Sequence, residues 1–253
     1  MFAHRGGSVL GPENTIAAFD RGLAAGADGL ELDVHVSADG RVVVCHDAML
    51  DRTTDASGPV AARTAAELSR VDAGYWYRDA HGAYPDRGQA VGVPTLGAVL
   101  LRYRDVPIIV EMKVDHREMG LAVAAEVAAA AAVDRVCAAG DGSRAVRAAR
   151  EALPGLDTSA TRSDVRMALY RSRLGWPVRR VPYGGYQVPE IADKTRVVSP
   201  RFIRHAHLAG LEVHVWTIDE EADMARLLAW GADGLITNRP DVAVAVRNRY
   251  ALA

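Results

Sequence analysis

Glu31 and Asp33 stand two residues apart in the run Gly29-Leu30-Glu31-Leu32-Asp33-Val34-His35-Val36, and Val42-Val43-Val44-Cys45-His46-Asp47 follows soon after. In a strand successive side chains point to opposite faces. Leu30, Leu32, Val34 and Val36 therefore share one face, which reads as the side lying against a core, while Glu31, Asp33 and His35 share the other. Two carboxylates on one face repel each other, and a hard divalent cation held by carboxylate oxygens relieves that repulsion. Alone, such a pair reads first as a solvated strand face, so the rest of the chain must decide.

Groups of the same kind recur at the ends of other apolar segments. Residues 2–5 run into His4-Arg5-Gly6, the segment 42–45 into His46-Asp47, and a late segment into Trp216-Thr217. Ile108-Ile109-Val110-Glu111-Met112-Lys113 places Glu111 and Lys113 on one face. If these ends converge, one pocket holds Glu31, Asp33, Glu111, His4, His46, Arg5 and Lys113. That set suits phosphodiester cleavage. The carboxylates hold a cation that polarises phosphoryl oxygens, and Arg5 offers a planar fork to phosphate where Lys113 offers a point charge. Imidazole titrates near neutral pH, so two histidines can serve as a general base and a general acid.

Converging strand ends require a particular scaffold, and the chain's rhythm supplies it. Strands are expected at 2–5, 29–36, 42–45, 106–112, 135–138, 156–160, 183–188, 196–199, 211–216 and 234–236. Between them fall helices, the first capped by Asn14 with Ile16, Phe19 and Leu23 as its buried stripe. Further helices are expected from Pro94-Thr95-Leu96, at 116–132 and 143–153, up to Leu174, from Pro200, and at 219–230 and 240–250. About eight strands alternating with helices call for a parallel sheet with right-handed crossovers. At 253 residues, a closed (β/α)8 TIM barrel fits better than an open doubly wound sheet. Residues 48–93 break the rhythm with Gly, Asp, Arg and the aromatics Tyr75-Trp76-Tyr77 and Tyr84, as a functional excursion would. The expectation is an α/β fold, one barrel domain over 1–253 with a small inserted subdomain at 48–93.

Composition removes several function classes. A net charge of -2 gives no basic surface for nucleic acid. Cys45 and Cys137 allow at most one disulfide, and Cys45, within a valine-rich strand, reads as a small buried residue rather than a nucleophile. No apolar run is long enough for a transmembrane segment, and Met1-Phe2-Ala3-His4-Arg5 lacks the pattern of a signal peptide, so a cytoplasmic location is expected. No Gly-x-Gly-x-x-Gly or P-loop stands at a strand-to-helix turn, which argues against a dinucleotide-dependent oxidoreductase.

The ordered set His4-Arg5-Gly6, Pro12-Glu13-Asn14-Thr15, Glu31-Leu32-Asp33-Val34, His46-Asp47 with Leu50, Arg52, Thr53 and Thr54, Pro94-Thr95-Leu96, Glu111-Met112-Lys113 and Val215-Trp216-Thr217 resembles the glycerophosphodiester phosphodiesterase family. The match spans nearly the whole chain and includes Asp72-Ala73-Gly74-Tyr75-Trp76 in the excursion. The resemblance, to bacterial members related to phosphatidylinositol phospholipase C-like barrels, implies a metal-dependent hydrolase of lipid and glycerol metabolism. It would act on a small glycerophosphodiester to leave glycerol 3-phosphate and an alcohol. It implies one divalent cation, Ca²⁺ or Mg²⁺, on Glu31, Asp33 and Glu111, His4 and His46 as the acid–base pair, Arg5 and Lys113 on the phosphate, and Trp216 along the glycerol side. Glu13-Asn14-Thr15 would brace the site. Ala98 stands where many members carry glutamate, a departure on the helix after the motif rather than in the chemistry.

Blander readings apply to other residues. His35 is expected behind the site or in a barrel layer, and His205, His207 and His214 at surface or structural positions. Arg171, Arg173, Arg179 and Arg180 read as a solvated face. Tyr75-Trp76-Tyr77 suits packing of the excursion as well as head-group or lipid contact. The competing functions are a phospholipase D-like activity on lysophospholipids or sphingolipids, and a non-catalytic phosphate-binding barrel. The second predicts a lost ligand or histidine, and neither is missing.

Overall fold

The alternating apolar faces become strands with both sides covered. A computed structural model describes residues 1–177 and 180–251, the last two of these without their side chains. Its strands are β1 (Phe2–His4), β2 (Gly29–Val36), β3 (Val42–Val44), β4 (Ile108–Met112), β5 (Val136–Ala139), β6 (Asp157–Thr158), β7 (Gly185–Pro189), β8 (Ile191–Ala192), β9 (Thr195–Arg196), β10 (Glu212–Trp216) and β11 (Gly234–Thr237). Eight of them form a parallel sheet in the order β6-β5-β4-β2-β1-β11-β10-β7. A parallel bridge from Ser159 to Gly185 brings its two edges together. The result is a nearly closed (β/α)8 barrel.

Around it lie α1 (Ile16–Ala24), α3 (Leu96–Arg102), α4 (Arg117–Ala129), α5 (Ser143–Ala152), α6 (Arg162–Leu174), α7 (Pro200–His207), α8 (Glu221–Ala229) and α9 (Pro240–Ala251), with the short α2 (Ala65–Leu68) outside the ring. Leu30, Leu32 and Val34 of β2 join Ile108, Val110 and Met112 of β4 in the layer between sheet and helices. The inward side chains instead fill the barrel: Ile109, Ala139 and Ile236 pack there with Phe2 and Cys137. β2 is therefore buried on both faces, and its carboxylates point into the barrel rather than to bulk water.

Two expectations fail locally. Residues 196–199 do not make a barrel strand. Asp193 at φ 53 turns the chain instead, so β9 pairs antiparallel with β8, and the Val197 and Val198 N–H groups both donate to the Glu190 carbonyl. Asn14 does not cap α1. That role falls to Thr15, whose hydroxyl accepts from the Ala18 N–H, while Asn14 sits at φ 60 and turns its side chain toward β2. Arg179 lies outside the described residues.

Residues 48–93 leave the barrel after β3, which runs antiparallel to β2. They carry a single 3₁₀ turn, Val60–Ala62, and α2, closed by a capping box between Thr64 and Glu67. Leu50, Val60, Leu68, Val71, Ala73 and Val93 pack with Val43 and Cys45 in a small core of their own. Arg21 of α1 holds this segment to the barrel through a two-pronged pair with Asp86, both bonds 2.7 Å. Among the described residues no helix is long and apolar enough to cross a membrane.

Candidate active site

Strand register brings the acidic residues together. His4 of β1 lies beside Glu31 of β2, and Asp33 lies beside Glu111 of β4. One carboxylate oxygen from each of Glu31, Asp33 and Glu111 falls within 4.8 Å of the others. Glu31 and Asp33 are buried, so their mutual repulsion is not damped by water. Burial first, then the charges of Asp33 and Glu111, push the Glu31 carboxyl well above the usual carboxylate range. The three donors are all hard oxygens, a set that fits a cation of the calcium or magnesium type.

The chain's own cations cover part of this charge. Lys113 Nζ donates to Glu111 Oε1 at 3.1 Å and lies 3.3 Å from Asp33 Oδ1. Burial works against its ammonium, yet Glu111 and Asp33 together hold its pKa above the ordinary value. Arg5 adopts φ 52 after β1, and its side chain folds back over β2. Its Nη1 donates to Glu13 at 3.0 Å, and its Nε lies 3.2 Å from Asp33 Oδ2 without directing its N–H at any protein acceptor. The Arg5 backbone N–H donates to Glu31 Oε2 at 3.1 Å. Asn14 Nδ2 donates to Asp33 Oδ2 at 2.9 Å, and Asn14 Oδ1 accepts from the Asp33 N–H, so this asparagine clamps the central carboxylate.

The two histidines stand in different company. His4 Nδ1 is 2.7 Å from Asn238 Oδ1. Asp219 can only accept, so Asn238 must turn its Nδ2 to Asp219 (2.7 Å) and its Oδ1 to His4. That oxygen also accepts from Ser8 at 2.6 Å. His4 therefore carries its proton on Nδ1, which leaves the Nε2 lone pair facing Glu31, 3.8 Å away. Burial is the main cause that lowers the His4 pKa, and Arg5 adds to it, against the opposing bond to Asn238.

His46 Nδ1 meets a carboxylate instead, Asp47 Oδ1 at 2.6 Å. Arg52 Nε anchors Asp47 at 2.6 Å and forks onto Glu13 with two bonds of 2.8 Å. Bonds from Arg52 and then His46 hold the Asp47 carboxyl down at about 2. Glu13 would rise through burial, but Arg52 and Arg5 outweigh that and keep it below the usual range. His35 places Nε2 3.1 Å from the His46 carbonyl, behind the site. Trp216 ends β10 and is 38% exposed at the rim. Cys45 is buried, with burial raising its thiol to about 11, which suits a packing residue rather than a nucleophile.

Register and hydrogen bonds thus bring His4, Arg5, Glu31, Asp33, Glu111 and Lys113 together, with His46 joined to them through Asp47, Arg52 and Glu13 and Trp216 at the end of β10, while the residues that orient the histidines were only partly marked. Glu13 and Arg52 lie in matched motifs. Asp219 and Asn238 do not, although the run Ile236-Thr237-Asn238-Arg239-Pro240 closes the last strand and so stands at the mouth. His205 and His207 serve structural roles, the first on the Trp176 carbonyl and the second on Asp233. His214 is buried in β10, 3.2 Å from Glu212.

Comparison with known proteins gives a consistent picture. The model of the Glycerophosphoryl diester phosphodiesterase family matches residues 4–242. A glycerophosphodiester phosphodiesterase of Bacillus subtilis is 31% identical over 265 residues, covering 98% of this chain and 86% of that one. The crystal structure of a glycerophosphodiester phosphodiesterase from Agrobacterium tumefaciens superposes with a TM-score of 0.77 at 29% identity, covering 98% of each chain. An Oleispira antarctica phosphodiesterase, solved with the product sn-glycerol-3-phosphate, shares the fold at a TM-score of 0.76 and 22% identity, over 98% of this chain and 96% of that one.

Proposed function

Because the chain belongs to the glycerophosphoryl diester phosphodiesterase family, we propose that its mouth hydrolyses a small glycerophosphodiester to glycerol 3-phosphate and an alcohol with the aid of one divalent cation, Ca²⁺ or Mg²⁺, on Glu31, Asp33 and Glu111. The observation that carries this reading is the convergence of three carboxylates within 4.8 Å beside a histidine and two cationic side chains. Bound there, the cation supplies positive charge against the phosphoryl oxygens.

Arg5 and Lys113 hold the phosphate from the protein side, and the undirected Arg5 Nε–H is a buried donor free to meet an anion. His4, with its free Nε2 lone pair, draws the proton from the attacking oxygen. That oxygen is either the glycerol's own hydroxyl, which gives a cyclic phosphate opened later by water, or water itself. His46, backed by the Asp47 carboxylate, returns a proton to the leaving alkoxide. Trp216 lines the glycerol side at the rim. The 48–93 insertion frames the same mouth, since its Arg52 reaches both Asp47 and Glu13. The product seen in the Oleispira antarctica phosphodiesterase supports the substrate class. A cytoplasmic setting belongs to the same proposal, and the two free thiols, Cys45 and Cys137, fit a reducing compartment.

The test is turnover of choline, ethanolamine, glycerol and inositol glycerophosphodiesters with each metal and with chelator. Chelation should abolish turnover, and Ca²⁺ or Mg²⁺ should restore it. Single His4→Ala and His46→Ala changes should each lower kcat by about 10² to 10⁴-fold. The double change should lose much less than the product of the two, because the pair acts as a unit. Full rate in excess chelator, or near-normal rates in both variants, would overturn the reading.

A further inference from the structure

On the outer wall of the barrel, away from the acidic mouth, the end of α6 and the length of α7 form a second chemical surface. Trp176, Pro177, Arg201, Arg204, His205 and Leu208 line a shallow groove of about 510 Å³. A neighbouring depression of about 340 Å³ shares Arg204 and Leu208 and continues to Trp230. Leu208 is 84% exposed and Trp176 58%. Met167, Tyr170 and Leu174, at spacings of three and four on α6, add an outward apolar stripe. Single exposed apolar side chains are ordinary, but a contiguous set with two half-exposed aromatics marks an interaction surface.

The same face is basic. Twelve arginines elsewhere are held by carboxylates, as in Arg21–Asp86, Arg102–Asp20, Arg226–Glu190 and Arg247–Asp28, whereas those of this face are not. Among the described residues, Arg201 and Arg204 form no ion pair and no side-chain hydrogen bond. Arg171 and Arg173 donate to the carbonyls of Pro177 and Arg196 rather than to carboxylates. Four guanidinium groups thus stand without an acidic partner on a chain whose net charge is -2. Residues 165–189 and 194–211 contain no aspartate or glutamate, and Asp233 at the edge is engaged by His207. The His205 ring bonds the Trp176 carbonyl at 2.6 Å, which fixes the tryptophan's backbone beside α7.

We propose that this face docks on an anionic phospholipid bilayer. Phosphate groups answer the unpaired guanidinium groups, while Trp176, Leu174 and Leu208 enter the boundary between head groups and acyl chains. A second copy of the chain is a poor occupant, because a two-fold contact would set these arginines against themselves. An acidic protein would satisfy the charge but leave so shallow and spread an apolar rim with little to fill it. Docking by this side wall leaves the mouth open to water.

Co-sedimentation of the full chain with vesicles of equal parts phosphatidylcholine and phosphatidylglycerol tests the proposal. Binding should appear on these vesicles and not on pure phosphatidylcholine, and should be lost near 1 M salt, where the Debye length is about 3 Å. Each arginine near the surface should contribute about fivefold, so the Arg201→Ala, Arg204→Ala double variant should bind roughly 25-fold more weakly. Trp176→Phe should remove a blue shift of fluorescence seen on binding, and Leu208→Ser should weaken binding further. All three surface variants should keep the parent rate on a soluble diester, which shows that they fold. No binding to anionic vesicles, unchanged binding of the double variant, or equal affinity for soluble polyglutamate without a fluorescence shift would each overturn it.

Discussion

The proton delivery proposed for His46 needs a neighbour that keeps its negative charge, and Asp47 keeps one. Its oxygens are shared between His46 at 2.6 Å and Arg52 at 2.6 Å, and its carboxyl is held down at about 2. An unfolded aspartate titrates near 3.9, so folding favours the ionised form. Its contribution to stability is therefore complete above the unfolded value and is lost as the pH falls through about 2. Asp47→Asn lacks that contribution at every pH. Urea unfolding should show the wild type more stable than the variant near neutral pH, with the gap narrowing as the pH is lowered from about 4 toward 2. A gap that stays constant over that range would mean that Asp47 acts through shape alone. At this scale the sequence is readable where a residue bears chemistry and opaque where it acts through another. Glu31 and Asp33 announce themselves by sharing one face of a strand. Asn238 touches His4 across 234 positions of chain, and no local spacing reports such a contact.

Elements convert these residues into a site through register and through one tight turn. After β1 the chain reverses at Gly6, whose N–H donates to the Ala3 carbonyl at 3.0 Å and whose φ is +88. A Cβ there would come within 2.8 Å of Ala18 and Phe19 on α1. Gly40, in the turn between β2 and β3, has φ +76 but nothing within 4 Å of such a Cβ. Both positions carry the left-handed penalty of about 1 to 2 kcal/mol for an L-residue, and only Gly6 adds an overpacking cost of about 1 to 3 kcal/mol. Chemical denaturation should therefore place Gly6→Ala roughly 2 to 5 kcal/mol below wild type and Gly40→Ala only about 1 to 2. Equal losses would show that α1 yields to make room. The strand–helix alternation was legible because parallel strands buried on both faces read as continuous apolar runs, as Ile108-Ile109-Val110 does. The failures share one cause. At Asn14 and at 196–199, hydrogen-bond partners (Asp33 in one case, the Glu190 carbonyl across the Asp193 turn in the other) overrule a local pattern that was itself correct for a cap or a strand.

The molecule as a whole carries an unbalanced charge at its centre. Asp33 has Arg5, Lys113 and Asn14 around it, and Glu111 has Lys113. Among the described residues, Glu31 has only the Arg5 backbone N–H and, at 3.8 Å, the His4 ring. It is the buried carboxylate that the chain's own cations leave uncovered, and it joins β2 to a cluster shared with β4. A cation bound by all three carboxylates ties these strands and binds only the folded state, so it must raise the melting temperature. At a hundredfold excess over Kd the gain is about 2.7 kcal/mol, which for a chain of this size moves Tm by roughly 5 to 11 °C. Glu31→Gln keeps the side chain's shape and an oxygen for the Arg5 N–H but removes one of three repelling charges. Two opposite outcomes are therefore expected in thermal melts. The variant should lose most of the metal-induced rise, yet without metal it should melt at or above the wild-type temperature. A rise that survives the substitution would place the cation elsewhere. A variant that melts well below wild type in chelator would show that Glu31 serves the fold before it serves a metal.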